Sequence, residues 1–410
     1  MSIRFLHAAD LHLGLRITRF NEEACKRIGE ARFKALDRLK AKAAELAVDF
    51  VLIAGDLFDD HSVSLTAISE RTFKIFEGKG WNCPVYIIPG NHDPLSPGGV
   101  WEREPWKREQ PILRVHFLRT PEPVAVPEKP VALFPCPLRH RKSLDDPTEW
   151  IAKHPRAPGD ETIRIGLAHG SLNALPNLPP DDHLIRRDAA DAYDLDYLAL
   201  GHWHKPFSHK SADGIVRTAY CGTHEPMRFP GVSASLSTGW TAYSADEKSD
   251  LFADDGHGWA NLVTIDAPRA APRIEPIEIG YLHWISETCD LTSHSLGELT
   301  GRIAALEPAS LTILRLKLTG VLDLEKHAKI DEELRAIVDG RFHVGSRVDA
   351  DELLGKPNDG ELRRLVGDGV LSRVLNQLEL DFASPDAPTK RLAGHAIKQL
   401  YKIVAEEARR

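Results

Sequence analysis

Along the first ninety residues the apolar positions alternate between two periods. IRFLHA at 3 to 8, FVLIA at 50 to 54 and VYII at 85 to 88 are short apolar runs of the length expected for buried strands. Between the first two, Ile28, Ala35, Leu36, Leu39, Ala43 and Leu46 recur near a 3.6-residue period, which predicts a long amphipathic helix over 22 to 47, with Asn21 placed to cap it. A second helix is expected around 65 to 77. The resulting βαβαβ order is the signature of a layered α/β core.

After GNHDPLSPGG the pattern changes to short strands interrupted by prolines: HFL near 117, VALF near 133, IRIGLA from 163, YLAL from 197 and IVRTAY from 215. This is the pattern of a mixed sheet. A closing strand is expected at 262 to 266, and the Pro/Ala-rich stretch DAPRAAPR at 266 to 273 marks the expected domain boundary. The chain therefore divides into 1–270, a compact α+β unit at 274–350 and a helical segment at 351–410. The middle unit is predicted from a helix at about 295 to 306, the alternating strand LTILRLKLTG at 311 to 320, a helix near 324 to 338 and a strand near 342 to 348. In the last segment two helical patterns, about 360 to 379 and 389 to 408, flank DFASPDAP. The second places Ala393, Ile397, Leu400, Tyr401 and Val404 on one stripe, suited either to packing within the chain or to docking a partner.

At 410 residues the chain exceeds what one core usually supports. Its net charge of −8, from 52 Lys and Arg against 60 Asp and Glu, excludes a protein coated by a broad basic surface and leaves room only for a local basic groove. The five cysteines are scattered without CxxC spacing, as in a reduced compartment. No stretch reaches the roughly 18 apolar residues of a membrane span, and MSIRFLHAAD enters a strand directly, so a soluble, cytoplasmic protein that makes no use of a membrane is expected.

The chemistry lies at strand ends. Asp10-Leu11-His12, Gly55-Asp56, Gly90-Asn91-His92-Asp93, His169 and Gly201-His202-Trp203-His204 each follow a predicted strand, and the carboxyl ends of strands in an α/β sheet line one crevice. Side chains at i and i+2 of an extended segment point the same way, roughly 6.5 to 7 Å apart. His202 and His204 would then each meet a different ion of a closely spaced pair, with Trp203 turned away, and Asp10 and His12 would repeat the geometry. Asp56, with two oxygens and a negative charge, suits a bridging position, and Asn91 and His169 would complete the second ion's shell. An all N/O donor set with no thiolate favours Mn²⁺, with Fe or Zn²⁺ as alternatives. Two such cations bind phosphodiester oxygens, lower the pKa of a bridging water and orient it for in-line attack. His92 is then expected to protonate the leaving oxygen or stabilise the charge of the transition state, with Asp93 fixing its tautomer.

These five elements resemble those of the calcineurin-like metallophosphoesterase superfamily, whose pattern runs D-x-H, GD, GNH[DE], H and GHxH. More narrowly, HAADLHLG, VLIAGDLFD, IIPGNHD, His169-Gly170 and YLALGHWHKP look like SbcD-type DNA repair exonucleases, in particular a YhaO-like branch, over about residues 1 to 265. The resemblance implies a four-layer αββα core with a smaller α+β cap domain that meets DNA, and C-terminal helices that dock on an SMC-like ATPase. It also implies homodimerisation. Asp10, His12, Asp56 and His204 would hold one ion, and Asp56, Asn91, His169 and His202 the other. Asp59 stands where the family sometimes has a second histidine, which leaves the balance of exo- and endonucleolytic cutting open, and Tyr220-Cys221-Gly222-Thr223 is a looser match to a turn near the site. The chain has no GxxxxGK[ST], so any ATP hydrolysis would belong to a partner.

Three functions compete on this basis. The first is a metal-dependent nuclease on DNA ends, favoured by the expected cap and tail, with WEREPWKRE at 101 to 109 as a loop that could contact a strand. The second is a phosphodiesterase of small substrates such as cyclic nucleotides. The third is a scaffold without turnover, which the intact ligand set disfavours.

Overall fold

In the computed structural model of the chain, the described residues are 2–18, 20–60, 66–77, 80–107, 114–174, 178–229, 256–292, 294–323, 344–356 and 361–409, with 330, 334, 338 and 342. They fall into two compact units, the first running to His283 and the second beginning at Trp284.

The first unit holds two six-stranded sheets. One contains β1 (Ile3–Ala8), β2 (Phe50–Ala54), β3 (Val85–Ile88), β4 (Val115–Phe117), β11 (Trp259–Ile265) and β12 (Arg273–Glu278) in the order β12-β11-β1-β2-β3-β4. The other contains β5 (Val124–Ala125), β6 (Val131–Pro135), β7 (Ile163–His169), β8 (Tyr197–Gly201), β9 (Pro206–Lys210) and β10 (Val216–Cys221) in the order β5-β6-β7-β8-β10-β9. Strands β1 to β4 are parallel to their neighbours, as are β6, β7, β8 and β10; β11, β12, β5 and β9 add antiparallel edges. The mixed sheets expected from the strand pattern are therefore present.

Both faces of the inner strands are buried, which explains why FVLIA reads as a continuous apolar run rather than an alternating one. Phe50, Leu52 and Ala54 face the other sheet and pack with Leu133, Ile165 and Tyr197. Val51 and Ile53 face the opposite way, into a cluster with Leu36, Leu39 and Phe76. Those last residues belong to α1 (Glu22–Glu45) and α2 (Thr66–Glu77), and the side chain of Asn21 caps α1 by accepting from the Ala24 N–H at 2.8 Å. The outer face of the second sheet is covered by Ile151, Ile185 and the short helix α3 (Ala189–Ala192), completing four layers.

Two expectations change here. The stretch 266 to 273 is the turn from β11 into β12, so the first unit runs on to His283 instead of ending there. Trp101 and Trp106, in a stretch expected to be either a strand-contacting loop or an ordinary surface loop, are buried against Phe58 and Phe117. Pairing with polar neighbours hid their role from the sequence, because the charged residues between them face outward while the indoles fill the core.

The second unit has a three-stranded sheet, β13 (His283–Asp290), β14 (Thr312–Asp323) and β15 (Gly345–Lys356), with β14 and β15 parallel. Helix α4 (Leu296–Ala305) starts in a capping box between Ser295 and Glu298. The helix expected at 324 to 338 lies outside the described residues except for 330, 334 and 338, of which Ile330, Leu334 and Val338 are buried with Leu314 and Leu316. The single helix expected at 360 to 379 is two, α5 (Glu361–Val366) and α6 (Val370–Phe382), because Gly367 and Gly369 take positive φ of 62° and 152° and turn the chain between them. The apolar stripe of α7 (Ala387–Arg409) packs on these two helices through Ile397 and Val404 against Leu362, Val366 and Leu375, so it is a core contact of this chain. Among the described residues no helix is long and apolar enough to cross a membrane.

In the first unit a buried arginine and a buried glutamate join α1 to the loop after β10. Arg32 donates to the carbonyls of Leu11 and Glu225 at 2.8 and 3.0 Å, while the Glu225 carboxylate accepts from the Tyr281 and Leu282 N–H groups at 2.5 and 3.1 Å. Burial pushes the Glu225 carboxyl from about 4.5 up to about 7, against the pull of those N–H groups and Arg32. Between those values the folded chain keeps a proton that the unfolded chain releases. Stability contributed at Glu225 therefore falls as pH rises across that window, by roughly 3 kcal/mol in total. Denaturant midpoints of the protein and of Glu225→Gln, compared from acidic to neutral pH, are expected to show this decline in the former alone; parallel curves would refute it.

Candidate metal centre

Sharp turns at strand ends, rather than extended i, i+2 geometry, aim the side chains of the candidate ligands. Asp10, His12 and Asp56 have φ of 54°, 42° and 52°, and His202 has φ of 106°, all in the region that non-glycine residues rarely adopt. The expectation of an extended Asp10-x-His12 and His202-x-His204 is thus corrected: β1 ends at Ala8 and β8 at Gly201. Backbone bonds hold the strained turns, with Asp10 N–H donating to Gly55 O at 3.2 Å and His12 N–H to Asp56 O at 2.9 Å. Such strain persists where the surroundings over-determine it.

Close backbone approach brings the two sheets' ends together. A Cβ at Gly90 would lie 2.1 Å from Asp56 Oδ1, and one at Gly201 would lie 2.0 Å from Ala54 O, so only glycine admits these contacts. His169, at the end of β7, reaches across to the other sheet and its Nδ1 lies 2.8 Å from Ala54 O. Nδ1 is thereby the donor to that carbonyl, and Nε2 is the nitrogen that faces the centre.

The seven residues anticipated as ligands converge. Asp10, His12 and His204 present ligand atoms that all lie within 4.8 Å of one another, as do Asp10, Asp56 and His169. Asp56 Oδ2 stands between the two groups, 3.6 Å from His12 Nε2 and 3.4 Å from His169 Nε2. Asn91 Oδ1 is 2.8 Å from His169 Nε2 and 3.1 Å from His202 Nδ1. His204 faces His12 with ring centroids 5.5 Å apart, whereas His202 faces His169 at 5.2 Å. Trp203 between them is fully buried and stacks on Tyr220 at 4.3 Å.

Charge and burial are strongly coupled in this cluster. Burial would raise Asp56, but the imidazoles of His169 and His12 hold it well below the ordinary carboxylate range. Burial would also lower His169, yet the Asp56 carboxylate, reinforced by Asp10, raises it to about 9. His12 moves down because burial outweighs its contacts with Asp59 and Asp56. His12 Nδ1 lies 3.2 Å from Asp59 Oδ1, while its buried Nε2 has no hydrogen-bond partner among the described residues. A buried, unpartnered imidazole nitrogen beside carboxylates is what a cation site leaves when its ligands are already positioned, and the all N/O set fits divalent ions of the Mn, Fe or Zn class.

His92 lies at the open edge of the cluster with its side chain 44% exposed, its ring 4.7 Å from that of His12. Its Nδ1 is 2.8 Å from the Asp59 carbonyl. The expected tautomer-fixing role of Asp93 is corrected by this: Asp93 is turned inward, accepting from Gly90 N–H at 2.7 Å and Phe58 N–H at 3.0 Å, and so braces the loop that carries Asn91 and His92. Burial, together with the nearby Asp56 charge, pushes the Asp93 carboxyl well above its usual range.

Sequence reasoning missed Asp182, Ser171 and Arg32. Asp182 Oδ1 lies 3.1 Å from His202 Nε2, and Ser171 Oγ donates to Asp182 Oδ2 at 2.5 Å. Trp203 Nε1 in turn donates to Ser171 Oγ at 3.0 Å. No motif marks Asp182 or Arg32, and Ser171, though it follows His169-Gly170, gains its role only through the contact with Asp182 that folding creates.

Two paired sheets whose strand ends deliver two aspartates, an asparagine and four histidines to one crevice are the arrangement of the metallophosphoesterases, a family of metal-dependent hydrolases that bind two divalent ions. The chain belongs to the calcineurin-like metallophosphoesterases through its first half, where residues 3–206 match the family described as Calcineurin-like phosphoesterase. It is similar to the uncharacterized metallophosphoesterase YhaO of Bacillus subtilis, 31% identical over 217 residues, or 50% of this chain and 49% of that protein. It is also similar to the DNA double-strand break repair protein Mre11 of Methanopyrus kandleri, 26% identical over 55% of this chain and 50% of that one. The Mre11 of Methanococcus maripaludis is 26% identical over 61% of this chain and 64% of its own length. The chain thus spans about half to two thirds of the curated relatives it matches.

Asp182 orients His202 with its Nε2 as donor, so that Nδ1 keeps the lone pair facing Asn91. Asp182→Asn is expected to weaken divalent-metal affinity by about 10- to 100-fold, read by competition with a metallochromic chelator. Unchanged affinity would remove Asp182 from this role.

Proposed function

We propose that the chain is a metal-dependent phosphodiesterase that acts on DNA ends, Mn²⁺ being the preferred ion, in DNA repair with an SMC-like ATPase partner and as a homodimer. The observation that carries the phosphodiesterase reading is the convergence of Asp10, His12, Asp56, Asn91, His169, His202 and His204 on one crevice beside a half-exposed imidazole. Divalent ions held there would withdraw charge from a diester's oxygens and make an attacking water more acidic. The chain's own groups supply the rest. Asp10 and Asp56 offset the positive charge, Asn91 and His202 fix one side of the cradle, and His12 and His204 the other. His92 donates its Nδ1–H to the Asp59 carbonyl, which leaves Nε2 as the nitrogen for the substrate; as the imidazolium, with a second proton on Nε2, it can hand that proton to the departing oxygen and remain neutral with Nδ1–H in place.

A polyanionic substrate is supported by the stretch Arg139-His140-Arg141-Lys142, exposed throughout. It borders the metal centre: Arg141 pairs with Asp60 at 3.0 Å, Lys142 pairs with Asp181 at 2.8 Å, and the His140 carbonyl is 3.1 Å from His183 Nε2. It is the local basic rim that an overall acidic protein needs to hold phosphates. The similarity to the DNA double-strand break repair proteins Mre11 of Methanopyrus kandleri and Methanococcus maripaludis supports the same reading. Exposed apolar side chains on the last helices, among them Leu371, Val374, Leu380 and Leu392, offer a face for a partner, in place of the buried stripe of α7.

His92→Ala is expected to retain its divalent ions while hydrolysis falls about 10²- to 10⁴-fold, measured as metal content and turnover on the same preparation. Loss of metal together with activity would place His92 among the ligands instead. End-labelled single- and double-stranded DNA and bis-p-nitrophenyl phosphate, each with Mn²⁺, separate the substrate classes: release of nucleotides from DNA ends supports the proposal, and turnover of the small diester with DNA left intact even beside an ATPase partner defeats it.

A further inference from the structure

Outside the phosphoesterase centre, one other group of side chains among the described residues has the composition and spacing of a metal site. His257 Nδ1 lies 3.0 Å from Glu278 Oε1, and His283 Nδ1 lies 3.6 Å from that same oxygen. The ligand atoms of all three residues fall within 4.8 Å of one another, and the two imidazole rings meet edge to face at 5.9 Å. We infer that His257, Glu278 and His283 bind a divalent transition-metal ion of the zinc class at the surface of the first unit, separately from the phosphoesterase centre.

The donor set suits that ion. Two imidazoles and one carboxylate, with metal–ligand bonds of about 2.0 to 2.2 Å, leave a fourth tetrahedral position for water. Donor atoms around such an ion stand roughly 3.3 Å apart, close to the separations found here. An ordinary surface ion pair accounts for His257 and Glu278 alone. It does not account for a second imidazole turning its Nδ1 toward the same carboxylate oxygen.

Backbone hydrogen bonds and a close crossing join the segments that carry the three side chains. Glu278 ends β12 opposite Trp259 of β11. Just beyond, the N–H groups of Ile279 and Gly280 both donate to Gly258 O, at 2.9 and 3.0 Å. A Cβ at Gly258 would stand 2.6 Å from Gly280 Cα, so the two segments touch backbone to backbone. His257 precedes this crossing on one segment, while Glu278 and His283 flank it on the other. The side chains of His257, Glu278 and His283 are 46%, 42% and 27% exposed, open enough for an ion and its water to enter. The neighbouring positive charge is Arg38, whose guanidinium lies over the Tyr281 ring and donates to the Gly280 carbonyl. Glu278 supplies the negative charge that offsets it. A bound ion would clip residue 257 to the 278–283 segment at the point where the first unit ends.

The full chain, equilibrated by dialysis at low micromolar free Zn²⁺ and assayed for metal by mass spectrometry, tests this. His257→Gln/His283→Gln and, separately, Glu278→Gln are expected to hold one Zn²⁺ fewer per chain than the unaltered protein, with hydrolysis of bis-p-nitrophenyl phosphate unchanged. Equal zinc content in all three proteins would overturn the site. So would loss of an ion together with loss of hydrolysis, since that ion would belong to the phosphoesterase centre. A metal-dependent rise in Tm that the variants lack is the second expected result, and the same rise in the variants would count against it.

Discussion

The contact on which the centre depends is the meeting of two sheets at their carboxyl ends, where the His169 ring of β7 bonds the Ala54 carbonyl at the end of β2. Each sheet alone delivers only part of a ligand set: Asp10, His12, Asp56 and Asn91 come from one, His169, His202 and His204 from the other. Their convergence needs the loops to approach more closely than a side chain would allow, which is why Gly90 and Gly201 stand beside Asp56 and Ala54. The large apolar core between the sheets, from Phe5 and Phe50 to Ile165 and Tyr197, holds that approach in place.

A second constraint is electrostatic. Carboxylates and imidazoles are buried together, His12 Nε2 without a hydrogen-bond partner among the described residues, and turns at positive φ hold four of the candidate ligands, Asp10, His12, Asp56 and His202, in backbone conformations they would not choose alone. The surrounding groups absorb this. Arg32 binds the Leu11 carbonyl, Thr223 Oγ1 donates to the Asp10 carbonyl, and Asp93 ties the loop after β3 to that after β2. The result is a preorganised N/O cage with the half-exposed His92 ring at its open edge.

Membership of the metallophosphoesterases follows from this first unit, and the second unit accompanies it as a separate core built on β13 to β15 and α4 to α7. The strand pattern, both long helices near the start, the Asn21 cap and the clustering of chemistry at strand ends were all legible from periodicity and turn residues, since these are local properties. The helix break at Gly367 and Gly369 was legible in principle, and a closer weighing of paired glycines would have found it. The burial of Trp101 and Trp106 was not, because a tryptophan flanked by charges reads the same whether its indole meets a core or a ligand.

By itself the sequence determined which residue types could hold metal and where along the chain they recur, because strand ends and Gly-Asp, Gly-Asn-His and Gly-His-x-His turns are written in neighbouring residues. The tertiary structure alone decided their partners. Asp182 orients His202, Asp59 rather than Asp93 positions His92, and His257 meets Glu278 and His283, all across gaps of 20 to 33 residues that no local pattern spans. Hydrogen bonds and burial depend on which backbone segments pack together, and that is settled only when the two sheets close on their shared core.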